Sequence, residues 1–382
     1  MENQTEKKPE TMFLFGNGLS IGLSPEFALK TITQKFINSL EGNERAFLEE
    51  ISGSNGLNFD NFEENFSAIE DALDGLRRYD DFMITDVGKK FLKRFSLSDP
   101  MLSLHRNIIE SIYQKYIFMI LELIIGQVSL PNLFGNLGAF TKTFRQIILD
   151  SKCSHVFTLN YDLIVETILL NSEKIGTDNL TDFCTPAGNL SGTNVDKFDF
   201  DPARSKEFWG PNHLAKLYHL HGSLSMFFDR ERNKAFKTRS QDILENNLYQ
   251  EIHSNHRHIV PAIITGGGKS KKVQQYPFEF YNREMKRLCD FGDVSKLFIV
   301  GYSFRDEHIN DYLNRWISNT KDIENGLRII DYKDTEDNKK NFIRFISESV
   351  MRWNRKNLPT KCFVFEGANA LVDIQGSERK PK

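Results

Sequence analysis

Cysteine is scarce in this 382-residue chain: Cys153, Cys184, Cys289 and Cys362 stand far apart, with no Cys-x-x-Cys pair among them. That spacing excludes a zinc ribbon and a thioredoxin-type redox motif, and reduced thiols in a cytoplasmic protein are the expectation. Long hydrophobic runs are missing too. A membrane-spanning helix requires ~18–20 apolar residues; the longest greasy stretch, Tyr116 to Ile125, is shorter and broken by Glu122, so it reads as a buried helix. A basic excess is absent: the formal net charge of -3 gives no global sign of a nucleic-acid binder. Residues 1–11 lack the apolar segment of a secretory signal and are expected to form a polar tail. What is left, 40% hydrophobic and 26% charged, is the composition of a soluble globular protein.

Four short apolar runs each end in a polar or glycine-rich turn. Thr11-Met-Phe-Leu-Phe15 leads into Gly16-Asn17-Gly18-Leu-Ser20, and His155-Val-Phe-Thr158-Leu leads into Asn160-Tyr-Asp162. Ala215-Lys-Leu-Tyr-His219-Leu leads into His221-Gly222-Ser223, and Lys296-Leu-Phe-Ile-Val300 into Gly301-Tyr-Ser303-Phe-Arg-Asp306. Strand followed by polar turn, repeated, predicts an α/β fold: a Rossmann-like parallel sheet with helices on both faces and one site along its C-terminal edge.

Between the first and second of these units the pattern turns helical. Phe62, Phe66, Ile69, Leu73 and Leu76 recur at helical spacing, as do Ile109, Ile112, Tyr116, Met119 and Leu123. Residues 24–150 are therefore expected to be a helical insertion, with 12–23 and 151–382 forming the core. The polar stretch from Asn171 to about Pro211 reads as long loops. Further strands are expected over Arg257–Ile264, Leu327–Asp331 and Lys361–Phe365, with helices over Phe278–Cys289 and about Asn341–Trp353.

Two glycines in Gly16-Asn17-Gly18 let backbone N–H groups approach a diphosphate ahead of a helix N-terminus, although a Gly-x-Gly pair alone also serves as an ordinary tight turn. Asp162 can simply cap the helix that follows it, or it can act in a site with Asn160. Of His219 and His221, one can be a packed core histidine; Gly222 favours His221 as the reactive one, because the missing side chain leaves room for a substrate. Such a histidine titrates near neutral pH and suits proton transfer. Asp331 ends a later strand, where an acidic side chain can bind ribose hydroxyls. Gly266-Gly-Gly-Lys269-Ser270 lacks the first glycine of a P-loop, with Ile263 in its place, and His253, His256 and His258 lack an evident fourth ligand; no metal is expected.

In their order, the glycine turn, Thr158-Leu-Asn160-Tyr-Asp162, His221-Gly222 and Gly301-Tyr-Ser303 resemble the motifs of the sirtuin family over roughly residues 12–23 and 153–335. The resemblance implies NAD as the bound dinucleotide. It implies that Asn160 and Asp162, with Thr158 beside them, contact the nicotinamide ribose and carboxamide, that His221 is the catalytic histidine, and that Gly301 and Ser303 hold the adenosine half. The segments around His221 and Gly301 to Asn310 are most similar to bacterial sirtuin-like NAD-hydrolysing effectors of antiphage defence. Deacylases of the family carry a four-cysteine zinc ribbon between the histidine and Gly-x-Ser turns, where this chain has only Cys289; where their acidic-Phe-Arg element would stand, it has Glu26-Phe27-Ala28. The expectation is thus an NAD glycohydrolase using Asn160, Asp162 and His221. The alternatives are an NAD or ADP-ribose sensor without turnover, or an NAD-dependent deacylase or ADP-ribosyltransferase. Members of this group act as oligomers and some pair with a hexameric HerA-type ATPase, so a homo-oligomer and such a partner are expected, with no direct nucleic-acid binding and no membrane association.

Overall fold

A computed structural model describes residues 8–53, 56–95, 100–127, 130–204, 213–256, 258–265, 272–291, 294–350 and 358–371. Seven strands form one sheet in the order β12-β11-β10-β1-β2-β6-β3: β1 is Glu10–Phe15, β2 Cys153–Thr158, β3 Leu180–Thr181, β6 Ala215–His219, β10 Val294–Val300, β11 Leu327–Ile330 and β12 Phe363–Val364. Every pairing in it is parallel.

The sequence of β1 shows why the sheet is covered twice. Side chains alternate across a strand, and here both alternating sets are apolar: Phe13 and Phe15 enter one core cluster, Met12 and Leu14 another. Val156 and Phe157 divide in the same way, as do Leu217 and Tyr218. A parallel sheet buried on both faces has this near-continuous hydrophobic signature. Each fully buried Phe contributes about 1.5–3 kcal/mol relative to exposure.

The chain leaves β1 through α1 (Asn17–Leu23) and returns at β2 after α2 (Leu29–Ser39), α3 (Gly42–Ser52), α4 (Phe62–Met83), α5 (Asp86–Phe95), α6 (Pro100–Ile125), α7 (Leu130–Asn136) and α8 (Gly138–Asp150). The helical periodicity buries as its spacing dictates: Phe62, Phe66, Ile69 and Leu73 of α4 turn inward, and Phe66 meets Phe36 edge-on at 5.5 Å between centroids. Phe140 and Phe144 of α8 pack edge-on against Phe15, so this end of the stretch rests directly on the sheet. Among the described residues no helix is long and apolar enough to cross a membrane.

The stretch expected to be long loops carries three short strands. β3 lies in it, and so do β4 (Cys184–Asn189) and β5 (Asp196–Phe200). β3 joins the parallel sheet, whereas β4 and β5 with β7 (Gly222–Asp229), β8 (Lys234–Thr238) and β9 (Ile259–Ile263) form a second, antiparallel sheet in the order β4-β5-β8-β7-β9. β4 buries only its first two residues and β5 is DKFDF, so neither carries an apolar run. The strand expected over Arg257–Ile264 also belongs to this second sheet, at its edge, the place where the missing N–H of Pro261 is tolerated. The C-terminal amphipathic helix runs Glu336–Ser349; the expected extension to Trp353 and the Gly266–Ser270 segment lie outside the described residues.

Candidate active site

Strand order collects residues that are far apart in sequence. Following β11, β10, β1, β2 and β6 across the sheet, the strand ends present Asp331, Gly301 with Ser303, Gly16 to Gly18, Asn160, and His221. Neighbouring strands are ~4.8 Å apart, so this row extends roughly 19 Å along the C-terminal edge. β1 is the topological switch point, flanked by β2 on one side and β10 on the other, and ligands of open α/β sheets bind in the crevice there. A cavity of about 980 Å³ occupies it, and Gly16, Asn160, Asp162, His221, Ser303 and Asp331 all line it. That volume stands at the upper end of the ~300–1,000 Å³ typical of ligand sites and suits a ligand as long as a dinucleotide.

The glycines do a different job from the one expected. Gly16 N–H donates to Val300 O at 3.0 Å and Gly18 N–H to Gly301 O at 2.9 Å, so neither amide is left for a diphosphate. A Cβ on Gly18 would sit 2.5 Å from Gly301 Cα, and one on Gly16 would sit 2.6 Å from Gly301 O. Gly301 itself has φ +63°. The three glycines therefore allow two turns to lock backbone to backbone beneath the cavity. Asn17, also on the cavity wall, donates from Nδ2 to Phe27 O at 3.1 Å and so ties α1 to the following turn.

Asn160 is held from three sides. Its backbone N–H donates to Thr158 Oγ1 at 3.1 Å, and its Nδ2 donates to Gly16 O at 3.0 Å and to Ser20 Oγ at 2.9 Å. With both amide protons committed, the carbonyl oxygen is the group it offers to a ligand. Asp162 combines both readings weighed for it. Its Oδ1 accepts from Ile164 N–H at 3.0 Å at the start of α9 (Ile164–Leu170), while Oδ2 accepts from Ser20 Oγ at 2.5 Å and its side chain reaches the cavity. Burial pushes its carboxyl up, with the Ser20 and Ile164 bonds pulling the other way. Ser20 and Thr158 stand behind the cavity wall, as supports for Asn160 and Asp162.

His221 follows β6, whose pairing with β2 is continued by Leu220 N–H donating to Thr158 O at 2.9 Å; this continuation sets Asn160 and His221 side by side at the edge. The ring of His308 lies 6.5 Å from that of His221. Gly222 does not leave room for a substrate as expected. It has φ +88°, and a Cβ there would meet Ala262 O at 1.9 Å, so its missing side chain admits the backbone of β9. His219 is a packed histidine: burial, with the Lys237 charge beside it, drives its pKa down to about 3. Below it the buried Lys237 bridges Glu166 at 2.6 Å and the partly exposed Asp182 at 2.7 Å, an ion triad that ties α9 and the second sheet together.

Other groups reach the cavity that sequence reasoning did not assign. The first turn of α4 brings Asn61, Phe62, Glu63 and Glu64 into the wall, so the helical stretch closes the crevice. Tyr161, between Asn160 and Asp162, has its hydroxyl 3.0 Å from Glu63 Oε1 and 2.6 Å from Ile264 O, two acceptors for one proton. Burial and the Glu63 charge hold that phenol protonated, its pKa raised well above the usual value. At the far end Lys333 and Phe342 accompany Asp331, and Arg305 also lines the cavity. Asn61 followed by Glu63 and Glu64 is a helix-start signal, but nothing local shows where that start points.

Among the described residues no three His, Cys, Asp or Glu side chains group as a metal-ion site. No curated protein matches the chain significantly. The sequence model of the SIR2-like domain matches residues 154–357, which begin in β2 and run past β11, and so include the turns that carry Asn160, His221, Ser303 and Asp331. With that match extending over more than half of its length, the chain belongs to the SIR2-like domain family.

Proposed function

We propose that the chain is an NAD glycohydrolase, cleaving NAD and water to nicotinamide, ADP-ribose and a proton. Domains of this family bind NAD. The observation that carries the reading is that Asn160 and His221, sixty-one positions apart, line one dinucleotide-sized cavity, with Asp331 at its other end.

Breaking the bond between the ribose C1′ and nicotinamide sends the electron pair out with the neutral base and leaves positive charge on the ribose. Little acid catalysis is needed for such a leaving group, so positioning dominates. The Asn160 carbonyl accepts from a ribose hydroxyl or from water, and Ser20 and Gly16 fix its direction. Asp162 braces this arrangement and faces the carboxamide. As water bonds to C1′, His221 takes its proton. The wall supplied by Asn61 to Glu64 favours water over a bulky acceptor at that end of the cavity.

A freely active NAD hydrolase would deplete its own cell, so the activity is gated, with assembly of copies of this chain or docking of a HerA-type ATPase as the proposed trigger, in the setting of antiphage defence. The test is nicotinamide release from NAD by the purified chain, alone and with the ATPase, and NAD levels in cells with and without phage. Wild type should release nicotinamide and lower cellular NAD, while Asn160→Ala and His221→Ala should not. Equal behaviour of all three under every activating condition refutes the assigned site.

A further inference from the structure

The end of the cavity at β11 carries a charge arrangement that bears on which dinucleotide it admits. An acidic residue at the end of such a strand commonly accepts the adenosine ribose hydroxyls and, by charge repulsion, turns away a 2′-phosphate; a basic group at the same place takes the phosphate instead. This chain has both. Lys333 Nζ donates to Asp331 Oδ2 at 2.7 Å, and the same ammonium lies 4.4 Å from the centroid of the Phe342 ring. Asp331, Lys333, Phe342 and Arg305 all line the cavity.

The backbone around the pair is fixed, and the lysine head keeps a donor in reserve. Asp331 N–H donates to Val364 O at 2.9 Å and Lys333 N–H to Phe365 O at 3.2 Å, so both residues are pinned to the neighbouring edge. Asp331 Oδ1 accepts from Tyr332 N–H at 2.7 Å, which keeps the carboxylate in place. Lys333 Nζ also donates to Tyr332 O at 3.2 Å, leaving one of its three protons for a ligand. With side chains 26% and 19% exposed, the two charges are partly solvated and can be repartnered without stranding a buried ion.

We propose that Lys333 and Asp331 form a dual-specificity pair that lets this cavity accept dinucleotides with either a free or a phosphorylated adenosine 2′-position, NADP as well as NAD. With a 2′-hydroxyl, Asp331 accepts and Lys333 stays on the carboxylate. With a 2′-phosphate, Lys333 turns to the phosphate and offsets the repulsion by Asp331. This rests on the dinucleotide reading of the cavity.

The test is calorimetric titration of the full chain with ADP-ribose and with its 2′-phosphate, which cannot be cleaved and so report binding apart from turnover. Wild type should bind both, with affinities within about tenfold, since a single charge-assisted hydrogen bond is worth about tenfold or more. Lys333→Met should weaken the phosphorylated compound at least tenfold relative to the other, Lys333→Arg should restore the ratio, and Asp331→Asn should move it the opposite way. A general structural defect would move both ligands together. A wild-type preference above about a hundredfold for the unphosphorylated compound, or a ratio that ignores both substitutions, overturns the pair while leaving the NAD site standing. Failure of both compounds to bind overturns the dinucleotide reading and this inference with it.

Discussion

Gly301→Ala isolates what the locked turns contribute. Two costs arise. An alanine held at φ +63° loses about 1–2 kcal/mol against glycine. Its Cβ would also sit 2.4 Å from Leu19 N and 2.5 Å from Gly18 Cα. These are backbone atoms that cannot rotate aside, so the two turns must part by roughly 1 Å, and overpacking of this kind costs about 1–3 kcal/mol. The sum is about 2–5 kcal/mol, with the bond from Gly18 N–H to Gly301 O stretched or lost. Gly192→Ala is the control, because Gly192 has φ +78° with nothing within 4 Å of the added carbon, so only the first cost applies. Urea denaturation of both variants should therefore show Gly301→Ala the less stable by about 1–3 kcal/mol. Nicotinamide release should fall roughly a hundredfold in Gly301→Ala alone, since a displacement near 1 Å at the reacting centre has that effect. Equal urea midpoints for the two variants would refute the argument that the turns are in enforced contact.

Other substitutions probe separate parts of the structure. Lys237→Ala should destabilise the fold by about 2–4 kcal/mol in chemical denaturation, below the cost of stranding fully buried ions, because it leaves the largely buried Glu166 and the partly exposed Asp182 without their counter-ion; a loss below about 1 kcal/mol would count against the triad. His219 is held down to about 3 when folded against 6.5 for the free side chain, so the unfolded chain binds the extra proton. Its contribution to stability is thus full above pH 6.5 and is lost as pH falls toward 3, with a slope of up to about 1.4 kcal/mol per pH unit. His219→Asn should flatten the urea midpoint in that window, and an unchanged pH profile would show the ring to be already protonated in the fold. Tyr161→Phe, which removes the hydroxyl shared by Glu63 and Ile264, should lower the rate of nicotinamide release more than it raises KM; a pure KM effect would mean that the tyrosine contacts ligand without positioning Asn160 and Asp162.

The central sheet and the row of residues along its C-terminal edge were legible because both leave local marks. Apolar runs such as Met12 to Phe15 are buried on alternate faces, and the polar groups that end them lie where the strand stops. The placing of Asn160 and His221 on the cavity wall follows from the same marks. The second sheet was not, since strands such as DKFDF and CTPAGN are half exposed and read as polar loop. The role of Gly222 was misjudged because the atom that needs the space, Ala262 O, belongs to a strand forty residues on. Glu63 and Lys333 escaped for a related reason. A carboxylate in the first turn of a helix and a lysine in a strand-end loop are ordinary surface residues until tertiary folding aims them into the crevice.

The excursion from β1 to β2 leaves and re-enters the sheet at adjacent strands, in register from Glu10 opposite Cys153 to Phe15 opposite Thr158. Its length therefore has no geometric bearing on the spacing of the row beneath it, and added chain there carries only a slowly growing entropic cost. The sheet edge acts as a fixed ruler under the helical roof: chain added between the helices leaves the amide of Asn160 and the imidazole of His221 at their separation.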